Sequence, residues 1–239
     1  MIKQQIFTYW EGPIPPYIEH CLSTFERSGV TVYKLNKETV DQYMFNTLHP
    51  NWKRLDYIAQ KTDCIRLALI YNHGGMWVDA DTIFIKECSH LFDNDNDFNV
   101  TQWSIDNVLC NAYFSAPKGS NFIRCALNHI NHTLENNFKP RYMEDTGVYF
   151  GETTFQMVRQ KMKVDIFPLS TFLPVEFRGS PGIWNKQISI QNYIHPNTVA
   201  IGLNHSQYGN DIYNMSIEQF YNQHNLFGDV FKFSMDLRK

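Results

Sequence analysis

The chain has 239 residues and a formal net charge of −3, with 43% hydrophobic and 19% charged residues. This length and apolar content suffice for one domain over residues 1–239 with its own core, and they exclude an intrinsically disordered chain. The slightly acidic balance provides no basic surface for DNA or RNA, so we expect no nucleic acid polymer among its partners.

The cysteines and the two ends of the chain indicate the compartment. The five cysteines are scattered without a CxxC pair, which favours neither a disulfide framework nor a zinc site. The N-terminus resembles no signal peptide, and no apolar run reaches the roughly 18 residues of a membrane span. We therefore expect a cytoplasmic protein. Its tail, residues 226–239, mixes phenylalanines with basic residues, so it either docks on the protein or lies peripherally at the inner face of the cell membrane.

Short apolar runs alternate with helical patterns along the chain. The runs predict strands at residues 5–10, 30–35, 76–85, 98–103, 112–116, 164–167 and 199–203. Helical spacing predicts helices at residues 16–27, 37–45, 55–72, 121–136, 152–161 and 217–225. This alternation is typical of an α/β fold with a mostly parallel sheet. Residues 178–191 lack periodicity and contain glycine and proline, which indicates a loop, interpreted as lying on the acceptor side of a site.

The helix predicted at residues 55–72 carries two charged residues of interest. Apolar residues recur at helical spacing and predict an amphipathic helix with one stripe toward the core. Asp63 and Arg66 share a neighbouring face; on a solvated surface such a pair stabilises a helix by only about 0.3 to 0.5 kcal/mol. The helix runs into Gly74 and Gly75, which allow the chain to turn at once into a strand.

Asp79 and Asp81 interrupt the otherwise apolar strand predicted at residues 76–85. In an extended strand, residues two apart point to the same side, so we expect the two carboxylates to converge. Because no Lys or Arg lies within four residues, a divalent cation is their expected partner, and oxygen-only ligation suits Mn²⁺ or Mg²⁺ bound together with phosphates. Two acids at a solvent-exposed strand end would give the same short pattern.

The order of these residues resembles a known family. The pattern Asp63-x-x-Arg66, Ile70-Tyr71-x-x-Gly74-Gly75-x-Trp77-x-Asp79-x-Asp81 is similar to the signature of glycosyltransferase family 32, the DXD-motif sugar transferases that include capsular polysaccharide enzymes. Looser similarities at residues 6–12, 111–119, 145–147, 172–174 and 200–206 follow in the family's order. The chain departs from the family at Trp77, where Tyr is common, at Val148, where Pro is usual, and by two extra residues before His205.

The resemblance implies a fold and a reaction. The fold would be GT-A, a Rossmann-like nucleotide-binding sandwich with a mixed, mostly parallel sheet. The reaction would be transfer of a hexose from a nucleotide sugar with retention at the anomeric carbon. The expected donor is a UDP-sugar, with guanosine as the alternative nucleoside, and the acceptor is a glycan or lipid-linked oligosaccharide in surface polysaccharide synthesis.

The resemblance also implies roles for single residues. Asp81 would ligate the metal, and Asp79 would be shared between the metal and the donor. Asp63 and Arg66 would bind the sugar hydroxyls and the diphosphate, with Arg66 acting in catalysis beside the two acids. Tyr9 and Trp10, at the end of the first strand, would bind the donor at its base. His205 would be a further metal or phosphate ligand.

Several alternatives remain open from the residues alone. Trp10 is equally consistent with a core aromatic, and His205 with a structural histidine. Asp145, Glu152 and Glu176 are candidates near the acceptor, although each could be a solvated surface acid. No carboxylate nucleophile can be placed, which favours a front-face route in which a diphosphate oxygen takes the acceptor proton. A metal-assisted phosphohydrolase and a non-catalytic nucleotide-sugar or glycan-binding module are the rival functions.

Overall fold

The computed structural model describes residues 1–136, 138, 150–176, 180, 182–204 and 212–237. The strands are β1 (Gln5–Tyr9), β2 (Thr31–Leu35), β3 (Gly75–Val78), β4 (Thr82–Phe84), β5 (Asn99–Gln102), β6 (Leu109–Ala116), β7 (Asp165–Phe167) and β8 (Ala200–Gly202). The helices are α1 (Pro16–Thr24), α2 (Asp41–Met44), α3 (Ile58–His73), α4 (Asn121–Asn136), α5 (Glu152–Arg159), α6 (Ile217–Tyr221) and α7 (Leu226–Asp236).

A six-stranded sheet in the order β2-β1-β3-β6-β5-β7 organises the fold. Strand β6 runs antiparallel to both of its neighbours, whereas the other adjacent pairs are parallel. The predicted α/β class with a mixed, mostly parallel sheet is thereby confirmed. Strands β4 and β8 form a second, two-stranded antiparallel sheet.

The strand predicted at residues 76–85 is in fact two strands in different sheets. The backbone N–H of Asp79 still donates to Ala112 of β6, but the carbonyl of Asp81 accepts from Leu203 beside β8. Residues 79–81 therefore connect the two sheets, and the expectation that strand alternation aligns the two carboxylates is wrong. Aspartate fits a strand poorly, so the chain leaves the main sheet where the acids begin.

Helix α3 lies between the main sheet and other helices. It contacts α2, α4 and strands β1, β3 and β6, and its residues from Cys64 to Ile70 are all buried. The predicted core-facing stripe is confirmed at Leu55, Ile65 and Leu69, which are buried, but not at Ile58 in the first turn, which is 48% exposed. The helix is not amphipathic over residues 64–70, because partners cover this part on every side.

The predicted turn from helix to strand at Gly74 and Gly75 is confirmed. Both residues have positive φ, 68° and 107°. A side chain at Gly75 would place its Cβ 2.6 Å from the carbonyl oxygen of Gln5 in β1. Only glycine permits this conformation and this close approach, so the pair brings α3 directly back against the sheet.

Two predicted helices are shorter than expected. The pattern at residues 37–45 forms only α2, because the Asn36 side chain accepts from the backbone of Glu38 and Thr39 and holds a turn there. Helix α6 ends at Tyr221, and Asn225 instead caps a separate helix, α7, by accepting from the N–H of Gly228.

Helix α7 docks on the protein. Leu226, Phe227, Val230 and Phe231 are buried in a cluster that also contains Trp184. The aromatic side chains that suggested membrane contact therefore lie mainly inside the protein, as the docking alternative requires. Among the described residues, no helix has both the length and the apolar character needed to cross a bilayer.

The loop predicted at residues 178–191 is only partly described, since residues 178, 179 and 181 lie outside the described ranges. In its described part, Ile183, Trp184 and Ile190 are buried against the C-terminal helices. This portion is packed rather than open. Its role toward an acceptor stays a prediction.

Candidate functional site

A cavity of about 350 Å³ opens beyond the carboxyl ends of β1 and β3. In α/β sheets this edge is where ligands bind. Tyr9, Trp10, Arg66, Asp79 and Asp81, all predicted for the site, line it together. The remaining lining residues were not identified from the sequence; they are Glu11, Ile58, Ala59, Thr62, Ala80, Asn204 and Tyr213.

Arg66 lies at the centre of a buried network. Its Nη2 is 3.3 Å from Asp63 Oδ1, and its Nη1 is 3.4 Å from Asp79 Oδ1 and donates to the carbonyl oxygen of Asn111. The guanidinium also lies over the Trp77 ring, 5.2 Å from its centroid. The Arg66 side chain is only 7% exposed, so the alternative of an ordinary surface ion pair is wrong. A buried arginine fork of this kind fixes both carboxylates.

Asp79 is held from two directions. Besides the contact with Arg66, its Oδ1 accepts a hydrogen bond of 2.6 Å from the indole Nε1 of Trp77. No Lys or Arg lies within four residues of Asp79 in the sequence, but the tertiary fold brings Arg66 of α3 to it. Trp77, which departs from the family pattern, provides the hydrogen bond donor.

Asp81 has a different environment. It is 7% exposed, lines the cavity, and follows the turn that leads into β4. Burial raises the pKa of Tyr17, Cys21 and Tyr113, and the negative charge of Asp81 raises all three further. Asp81 thus adds negative charge to a poorly solvated wall of the cavity, where a cation is favoured.

Asp63, also predicted for the site, contacts Arg66 but is not among the residues that line the cavity. Burial raises the pKa of Asp63 to about 6, with smaller contributions from the charges of Asp79 and Glu152, while Arg66 opposes the shift. Its Oδ1 accepts a 2.7 Å hydrogen bond from Asn111 Nδ2. The backbone of Gly151 packs on the same group, since a Cβ there would lie 2.9 Å from Asp63 Oδ2.

The other end of the cavity is aromatic. Tyr9 and Trp10 follow one another at the end of β1, and Trp10 is half-buried rather than a closed core residue. The Tyr9 hydroxyl donates to Glu11 Oε2 at 2.8 Å, and Lys61 Nζ lies 3.7 Å from Glu11 Oε1. Burial and the neighbouring Glu11 raise the pKa of Tyr9, so the phenol remains a neutral donor.

Other predicted site residues are not brought into the cavity. His205 and Asp145 lie outside the described residues, although Asn204, next to His205, lines the cavity. Glu152 accepts from Trp103 Nε1 at 2.9 Å, and Glu176 accepts from the Ser104 backbone at 2.8 Å. Neither glutamate is among the lining residues, so any acceptor role stays a prediction.

Within the described ranges, no group of three or more His, Cys, Asp and Glu side chains could hold a metal ion by itself. Mg²⁺ and Mn²⁺ do not require such a group, because they bind one or two carboxylates and complete their shell with substrate phosphates and water. The hard oxygen donors of Asp79 and Asp81 in one cavity wall fit that chemistry.

Comparisons with known proteins agree on the fold. A family model described as "Capsular polysaccharide synthesis protein" matches residues 1–139. The glycosyltransferase GlyE of Streptococcus pneumoniae TIGR4 superposes with a TM-score of 0.55 at 13% identity, over 98% of this chain and 61% of GlyE. The galactosyltransferase LgtC, solved with donor and acceptor sugar analogues, gives 0.50 at 9% identity, over 98% of this chain and 96% of LgtC. No curated protein sequence matches this chain.

At these identities the solved structures establish the fold alone. The predicted GT-A fold is confirmed by them. The chain spans about three fifths of the length of GlyE, so the activity of that whole protein is not carried over.

Proposed function

The chain belongs to the capsular polysaccharide synthesis protein family, and from this premise we propose that it is a metal-dependent, retaining glycosyltransferase. It moves a hexose from a nucleotide sugar to a glycan or lipid-linked oligosaccharide. The family match confirms the sequence resemblance to capsular sugar transferases. The observation that carries the proposal is that Arg66, Asp79 and Asp81 line one cavity, with Arg66 in contact with Asp79 and with the buried Asp63.

The cavity has the two ends that a nucleotide sugar needs. Tyr9 and Trp10 offer apolar surface for a nucleoside, whereas Arg66, Asp79 and Asp81 offer charge for a diphosphate and its cation. By resemblance the donor is a UDP-sugar, with a GDP-sugar as the alternative.

Asp81 and Asp79 would hold Mn²⁺ or Mg²⁺ together with the diphosphate. When bound, such a cation neutralises the charge that develops on the departing diphosphate. Asp81 supplies the principal carboxylate, and Asp79, oriented by Arg66 and Trp77, is shared between the cation and the donor. His205 would be a further ligand, by resemblance only.

Arg66 binds the diphosphate and orients the two neighbouring carboxylates. Its guanidinium keeps Asp63 and Asp79 in fixed positions, and it lines the cavity where a phosphate oxygen would lie. Preorganised charge of this kind stabilises the transition state without the cost of reorganisation. Asp63, as a carboxylate, accepts hydrogen bonds from the hydroxyls of the transferred sugar.

Retention follows a front-face route in this proposal. The described lining residues other than Asp79 and Asp81 include one acid, Glu11, which is bound by Tyr9 and Lys61. The diphosphate oxygen then takes the acceptor proton, and no protein nucleophile is needed. The departing group remains bound beside Arg66 during this transfer.

A thermal-shift screen of nucleotide sugars, with and without Mn²⁺, tests the proposal, because a ligand that binds only the folded state raises the melting temperature. We expect a shift with at least one donor that EDTA abolishes, and release of its nucleoside diphosphate on incubation with acceptor. Acceptor-independent release of inorganic phosphate would instead indicate a phosphohydrolase. Donor binding without transfer to a broad acceptor panel would indicate a binding module.

A further inference from the structure

Glu11 is a partly buried carboxylate in the aromatic end of the cavity. It follows Trp10 directly, and its side chain is 15% exposed. The hydroxyl of Tyr9 and the ammonium of Lys61 each approach a different oxygen of the carboxylate. Two partners from different elements, β1 and α3, therefore hold the Glu11 carboxylate in position.

Three side-chain donors that line this cavity have acceptors in the protein. Tyr9 donates to Glu11 itself, Trp10 Nε1 donates to Pro13 at 3.1 Å, and Thr62 Oγ1 donates to Ile58 at 2.8 Å. A ligand entering this end thus meets the fixed Glu11 carboxylate, whose oxygens can accept further hydrogen bonds, between apolar surfaces. The complementary group is a flat ring that carries an N–H donor.

We propose that Glu11 recognises the nucleobase of the donor by accepting a hydrogen bond from the ring N–H that uracil and guanine possess. Tyr9 and Lys61 are positioning residues for this contact. The inference rests on the proposed function, since it concerns the nucleotide of the same donor. It also explains why Glu11 is fixed here, although a carboxylate repels a diphosphate. The diphosphate must lie at the Arg66 end, which leaves the base beside Trp10.

The test is calorimetric titration, with Mn²⁺ present, of UDP and of 3-methyluridine 5′-diphosphate, which lacks the ring N–H. GDP and its 1-methylguanosine analogue form a parallel pair. For the base that binds, we expect the wild-type protein to favour the unmethylated nucleotide by about tenfold or more, because a hydrogen bond to a charged acceptor is lost on methylation. Glu11→Ala should reduce the preference to about twofold or less. Glu11→Gln, which keeps an acceptor oxygen, should retain part of it.

Glu135→Ala serves as a control, because it removes an exposed carboxylate from α4, an element that does not line the cavity. It should leave the preference unchanged. Melting curves of each variant establish that the compared proteins are folded, and Glu11→Gln keeps the test usable if Glu11→Ala unfolds.

An unchanged preference in Glu11→Ala would overturn the assignment while leaving the transferase proposal standing. The assignment would also be overturned if Glu11→Ala lost discrimination against 2′-deoxy-UDP rather than against the methylated nucleotide. That result would place Glu11 at the ribose. If the wild-type protein binds no nucleoside diphosphate, the proposed function itself fails and the assignment fails with it.

Discussion

Arg66 Nη1 lies 3.4 Å from Asp79 Oδ1, so an arginine of helix α3 contacts the first acid of the turn after β3. Because the same guanidinium also contacts Asp63, removal of one charge leaves the others poorly compensated in a buried site.

Asp81→Asn should remove most of the activity with little effect on the fold. The amide is a weaker ligand for a hard cation than the carboxylate, so we expect turnover to fall by about a hundredfold. The Mn²⁺-dependent part of the donor-induced thermal shift should also disappear. Full turnover in this variant would refute a metal site at Asp81. Asp93→Asn provides a control for loss of an acid elsewhere, because Asp93 is exposed and does not line the cavity.

Arg66→Lys keeps the charge but loses the planar fork that reaches Asp63 and Asp79 together. We expect kcat to fall by about tenfold to a hundredfold, with a smaller change in donor affinity. Steady-state kinetics on the donor measure both quantities. Arg124→Lys is the matched control, because Arg124 lies exposed on α4. Equal kinetics for the two variants would contradict a catalytic role for Arg66.

Asp63 should make stability depend on pH. Since its pKa is raised from 3.8 to about 6, the folded protein retains this proton over a range where the unfolded chain releases it. The free energy of unfolding should therefore decrease as pH rises from about 4 to 6, by up to about 3 kcal/mol from this group. Urea unfolding across this range measures it. In Asp63→Asn the decrease should be smaller; an identical pH profile would contradict the assignment.

The same titration predicts the pH dependence of donor binding. The ionised form of Asp63 is the one that accepts two hydrogen bonds from sugar hydroxyls. Affinity for the nucleotide sugar should consequently rise through pH 6, while affinity for the nucleoside diphosphate alone should change less. Calorimetry with both ligands at pH 5 and pH 7.5 distinguishes sugar recognition from a general effect on the site.

Gly151→Ala should displace Asp63. Gly151 has φ 63°, and its new Cβ would lie 2.3 Å from Asn111 Nδ2 as well as close to Asp63. Gly119→Ala is a matched control, since Gly119 has φ 75° but open space around the added Cβ. Both positions have a positive φ that favours glycine, and Gly151 also has ψ −126°, outside the left-handed helical region, so Gly151→Ala should lose more stability and also donor affinity. Equal losses in thermal unfolding would show that the close contact is unimportant.

Much of the fold is encoded locally in this sequence. Periodicity predicted α4 with both of its ends correct, because its apolar face is regular and one side is exposed. It predicted α3 within three residues of each end but not its burial on all sides over residues 64–70, because the sheet and two helices cover that part. The break between β3 and β4 was also missed, since a short apolar run does not reveal which sheet its residues join.

For the site, the order of residues from Asp63 to Asp81 was sufficient to identify the capsular sugar transferase family, because glycines and acids at these spacings have few other uses. The sequence alone did not predict which residues contact them. The contact of Arg66 with Asp79, the separate environment of Asp81 and the position of Glu11 at the cavity all join segments distant in sequence. Such contacts depend on how α3, β1 and the turn after β3 meet, and only the tertiary structure determines that meeting.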